Sequence, residues 1–88
     1  MSENQKIVFK NLVSLQIKNL TLDANISLYN TNLFYFENIT NLSIENLNIK
    51  NIHSLYNSTI FIVNSVKNFY GSQIIILNLK INAENTTS

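Results

Sequence analysis

The chain has 88 residues, 45% hydrophobic and 12% charged, with a formal net charge of +1, one Gly, and no Pro, Cys or Trp. That length allows one small domain; no disulfide or thiolate metal site can staple it, and a near-neutral balance built on Lys without Arg offers nothing to a polyanion such as nucleic acid. No apolar run approaches the roughly 20 residues of a membrane helix, and MSENQKIVFK lacks the apolar stretch of a secretory signal, so no membrane span is expected and any leader would lie outside these residues.

Asn is the commonest residue, followed by Ile and Leu. Ile, Val, Thr, Tyr and Phe suit a pleated surface, whereas Asn and Thr are poor in helix interiors because their side chains compete for backbone hydrogen bonds. Strands are therefore expected. Residues 1–6 read as a polar N-terminal tail. From there residues 11–33 superpose on residues 38–60 without a gap at an offset of 27, with identities at Asn11/Asn38, Leu15/Leu42, Ile17/Ile44, Asn19/Asn46 and Leu20/Leu47, and through Ser27-Leu28-Tyr29-Asn30 over Ser54-Leu55-Tyr56-Asn57. A third copy opens at Ile60, where Phe61 and Val63 follow Phe34 and Phe36. An insertion of about five residues near Tyr70-Gly71-Ser72-Gln73 would then bring Asn78, Leu79 and Ile81 under Asn46, Leu47 and Ile49. The expected coils are 7–32, 33–59 and 60–82, followed by a polar tail, 83–88.

The charges test this offset without using the apolar residues. Lys10 falls beside Glu37, Lys18 beside Glu45 and Asp23 beside Lys50, each column pairing opposite signs.

Within each coil the alternation of apolar and polar residues slips by one. Leu15 and Ile17 precede Asn19, and Leu20 and Leu22 follow it. A straight strand would send the two pairs to opposite faces. A left-handed Asn19 bends the chain and turns all four inward. The same slip recurs at Asn46 and Asn78, so Asn19, Asn46 and Asn78 are expected to stack about 4.8 Å apart as a buried amide ladder. The motif apolar-x-apolar-x-Asn-apolar-x-apolar, once per coil over residues 7–82, resembles the right-handed parallel β-helix of pectin-lyase-like proteins. That resemblance implies an all-β solenoid of about three coils and is nearly silent on activity, because the fold carries enzymes, adhesins and plain surface proteins. A leucine-rich repeat is the rival architecture, but the Asn25 position of its motif becomes Ile52 in the second coil.

Chemistry is sparse. Glu37, Glu45 and Asp23 each have a Lys beside them, Glu3 and Glu84 lie near the ends, and His53 has no second His or Cys with which to hold a metal. No enzyme, cofactor or metal site is expected. Tyr29 over Tyr56, Phe34 over Phe61 and Phe9 over Phe36 form aromatic columns, of which the Tyr pair could hold a sugar ring. Six Asn-x-Ser/Thr sequons begin at Asn19, Asn25, Asn38, Asn41, Asn57 and Asn85, with Asn57 and Asn85 the favoured glycosylation acceptors. Neither tail is large enough to cap a coil, so the expected function is a structural or adhesive, extracellular or cell-surface β-solenoid segment. Its expected partners are further coils of the same or an identical chain, stacked on the open ends. The alternatives are a carbohydrate-binding or carbohydrate-processing β-helix and a leucine-rich-repeat interaction module.

Overall fold

A computed structural model describes residues 6–81. Three strands, β1 (Ile7–Leu28), β2 (Asn32–Ser54) and β3 (Thr59–Ile81), pair in parallel in the order β1-β2-β3. A straight strand of 23 residues would run roughly 76 Å at about 3.3 Å per residue. The longest dimension of the molecule is 39 Å. Each strand is therefore wound into a closed turn, and the protein is a three-coil parallel β-solenoid.

What bends the strands is a set of left-handed residues. Among the described residues, eleven non-glycine residues have positive φ, and nine of them are Asn. Asn tolerates this region because its short side chain hydrogen-bonds locally, whereas most L-residues lose about 1–2 kcal/mol there. The residues fall into columns: Asn11, Asn38 and Ser65; Asn19, Asn46 and Gln73; Asn25, Asn51 and Asn78; Asn30 and Asn57. At each corner the inward face is handed across the bend. Ile44 and Leu47 flank Asn46 and both are buried, as are Ile49 and Ile52 on either side of Asn51.

The register corrects the expected winding in two places. No insertion interrupts coil 3: pairing holds at an offset of 27 from Asn32↔Thr59 to Ser54↔Ile81, so Phe69, Gly71, Ile74 and Ile76 lie beside Leu42, Ile44, Leu47 and Ile49. Ile81 therefore stands beside Ser54, not Ile49. In β1 a bulge between Asp23 and Ile26 shifts the offset to 26, so that Ser27 meets His53 and Leu28 meets Ser54. The offset of 27 returns at the turn, where the Tyr29 ring lies against that of Tyr56 and the Asn30 N–H donates to the Tyr56 carbonyl at 2.7 Å. Because of the bulge, Asn25 shares its corner with Asn51, and no helix accompanies each repeat as a leucine-rich repeat would require.

The core is a single stack of inward side chains. Of the nine largest fully buried ones, Leu28 belongs to β1 and the other eight (Phe34, Phe36, Ile39, Leu42, Ile44, Leu47, Ile49 and Ile52) to β2. Only a coil with a neighbour above and below hides its apolar face. Phe9 over Phe36 and Phe34 over Phe61 stack at centroid distances of 5.7 and 5.4 Å, adding about 0.5–1.5 kcal/mol per pair beyond their burial.

Candidate functional site at the open coil and the ladders

The outer face of the solenoid carries the polar chemistry. Side-chain amides bond between neighbouring coils at the corners. Asn38 Nδ2 donates to Asn11 Oδ1 at 2.8 Å, Asn46 to Asn19 at 2.9 Å, and Asn57 to Asn30 at 2.6 Å. Asn68 donates to Asn41 at 2.9 Å, where neither residue has positive φ. The ladder expected to run Asn19–Asn46–Asn78 is thus split. Asn46 bonds Asn19, the third place in that column belongs to Gln73, and Asn78 donates instead to Asn51. Asn51 in turn donates to Asp23 Oδ1 at 2.7 Å. The ladders are also exposed, not buried. A left-handed residue at a convex corner turns its side chain to solvent while its neighbours go inward.

Sequence reasoning missed the Asn11/Asn38 rung and the Asn51 corner. The first was visible as an identity at offset 27. The second was hidden because Asn51 has no identical residue 27 positions before it.

The described carboxylates Asp23, Glu37 and Glu45, and Lys6, Lys10 and Lys18, each have a structural partner. Lys10 Nζ lies 3.9 Å from Glu37 Oε1 and Lys18 Nζ 3.7 Å from Glu45 Oε1, both half-exposed pairs worth at most about 1 kcal/mol. Glu37 also accepts the Tyr35 hydroxyl at 2.7 Å, and Lys6 and Lys10 lie over the Tyr35 ring at 5.4 and 5.7 Å. Asp23 stands beside Lys50 in register but spends its carboxylate on Asn51. Among the described residues no three His, Cys, Asp or Glu side chains gather into a metal-binding group. His53 lies between Ser27 and Lys80 on a shallow groove of about 260 Å³, its Nε2 covered and without a hydrogen-bond partner among the described residues.

Tyr29 and Tyr56 are exposed and face each other with centroids 5.8 Å apart and planes tilted by 39°. The rings therefore spend part of their faces on one another. Asn57 is exposed, yet its Nδ2 is already engaged with Asn30. Asn85 lies outside the described residues, as do Glu3, Glu84 and most of both expected tails.

The most distinctive surface is the open end at β3. Val63, Phe69, Ile74 and Leu79 occupy the same inward columns as Phe36, Leu42, Leu47 and Ile52, but are 48%, 52%, 36% and 38% exposed. Tyr70, Ile75 and Leu77 add apolar surface on the outward side of that strand, where β2 has Ser43, Asn48 and Lys50. The Phe69 ring reclines towards Gly71, where an added Cβ would come within 3.0 Å of it. Below, at β1, a mostly apolar mouth of about 300 Å³ opens between Ile7, Leu22, Ala24, Ile26 and Leu33, with Lys6 and Asp23 at its polar side.

Fold and surface together define the class: a short β-solenoid with external amide ladders and an uncovered apolar coil. No family profile matches the chain, and comparison with curated proteins and with solved structures finds no match.

Proposed function

We propose that this chain is a non-enzymatic structural β-solenoid unit, acting as a rigid segment of a larger surface or fibrous assembly in which its coil 3 is covered by another coil. The observation that supports this most strongly is the contrast between β2, whose inward columns are dry, and β3, whose equivalent residues stand more open beside a strand edge that is unpaired among the described residues. Monomeric proteins rarely leave such contiguous apolar surface uncovered, and a bare parallel edge is a template for strand addition. An extracellular or cell-surface setting belongs to this reading, since a rigid scaffold with outward sequons suits it.

A second reading, sugar stacking on Tyr29 and Tyr56, draws support from their exposure. It is the weaker one, because the 39° tilt denies a sugar a flat platform shared by both rings.

Sedimentation velocity over roughly 1–200 µM, a range bracketing typical weak association constants, tests the main reading. Concentration-dependent association with dye binding to the apolar face in the dissociated form is expected. A compact monomer throughout that range that binds no apolar dye would overturn it.

A further inference from the structure

We infer that the occupant of the open coil is a second copy of this chain, joined head to tail, its β1 lying on β3 with residue n of the incoming copy beside residue n+54. The proposal rests on the stacking-unit reading and adds the partner and the register.

The columns carry it. In this register the incoming Ile7, Phe9, Leu12, Leu15, Leu20 and Leu22 would cover Phe61, Val63, Val66, Phe69, Ile74 and Ile76, apolar on apolar at every inward place. The incoming Ile17 would sit over Gly71, the one inward position with no side chain of its own. Past the bulge the incoming Ile26 meets Leu79, since Ile26 pairs with Ile52 and Ile52 with Leu79. The β1 mouth is lined in part by Ile7, Leu22 and Ile26, the columns that hold half-buried Phe61 and Ile76 and exposed Leu79 on β3.

The outer face agrees. Lys10, Lys18 and Asp23 of the incoming copy would lie beside Asn64, Ser72 and Leu77, so no like charges meet. Its Asn11, Asn19 and Asn25 would fall on Ser65, Gln73 and Asn78, corner on corner.

Orientation follows from corner spacing. Corners on β3 come at 65, 73 and 78, and on β1 at 11, 19 and 25, a long interval then a short one in both. Running the two edges antiparallel, or pairing β3 with β3 across a two-fold axis, would set corners against straight segments. Head-to-tail contacts of this kind do not close on themselves, so the product is a linear stack.

The chain has no cysteine of its own, so engineered pairs report register directly. Single variants K18C and K10C are mixed with S72C and N64C under mild oxidation. Adjacent strands lie about 4.8 Å apart, within disulfide reach, whereas Lys10 and Lys18 are eight residues apart along the coil. The matched mixtures, K18C with S72C and K10C with N64C, are expected to cross-link at least about tenfold more than the swapped mixtures, K10C with S72C and K18C with N64C. All four sites face outward, and circular dichroism of each variant alone checks its fold. Equal yields in all four mixtures, or S72C linking chiefly to itself, would overturn the head-to-tail register while leaving the stacking unit standing if the chain still associates. A monomer in sedimentation with no cross-link removes both.

Discussion

A single backbone angle recurring at chosen places converts an ordinary alternating strand into a coil. Asn46, at φ 55°, shows how. Its conformation moves Leu47 to the same side as Ile44, and its amide, no longer needed inside, reaches down to Asn19. Replacing it with Ala removes both the tolerance for that angle and the bond, at a cost of about 1–3 kcal/mol. Gly keeps the angle and loses the amide, so Asn46→Gly should cost less than Asn46→Ala. Coil 3 supplies the converse. Gln73 takes the same left-handed angle in the same column with a residue poorly suited to it. Gln73→Asn should therefore raise stability by about 0.5–1.5 kcal/mol and bond to Asn46. Urea midpoints for the three variants check the set, and since Gly and Ala both lack the amide, Asn46→Gly falling below Asn46→Ala would show that tolerance of the left-handed angle does not hold this corner.

At the scale of the strand, position within the stack decides what an apolar residue is worth. Ile44 on β2 is 1% exposed and has Ile17 and Gly71 as lateral neighbours, while Ile74 on β3 is 36% exposed with Leu47 on one side only. Ile44→Ala should cost about 2–5 kcal/mol and Ile74→Ala well under half of that, measured by chemical denaturation at low micromolar concentration. The gap should narrow as concentration rises and the open coil is covered. How far the sequence disclosed these elements follows from the same physics. Residues 7–23 were legible because three independent signals, apolar alternation, opposite charges and identical Asn, shared one offset. The Asn78 assignment went astray because Asn78-Leu79-Lys80-Ile81 mimics Asn46-Leu47-Asn48-Ile49 locally, and because Gln73, not an expected left-handed residue, concealed the true third place in the column. The bulge before Ile26 was illegible for another reason: Ser27-Leu28-Tyr29-Asn30 repeats identically at 27, so the lost residue is regained within the turn. The apolar residues exposed on β3 follow only from the corrected register of that strand.

For the whole molecule, stability should grow with coil number faster than in proportion. Two of the three coils are terminal, and eight of the nine largest fully buried side chains come from the one that is not. In a stack whose units touch only their neighbours, an added interior coil contributes its own folding energy plus one further interface, while the two uncovered faces stay the same. Duplicating residues 33–59 in tandem supplies such a coil. It restacks Phe34, Phe36, Leu42 and Ile44 on identical residues, and continues the Asn38 and Asn46 corners unchanged. The cost is repetition of Lys50, Glu37 and Glu45 on themselves, exposed like-charge neighbours worth a few tenths of a kcal/mol each. Burial of a second β2 face outweighs that by several kcal/mol. The extended chain is therefore expected to melt higher than the native one at equal concentration and to show a larger denaturant m-value, in proportion to the extra surface it hides. A melting temperature that stays level or falls, with the added coil shown by circular dichroism to be β-structured, would mean that the interfaces between coils do not hold this protein together.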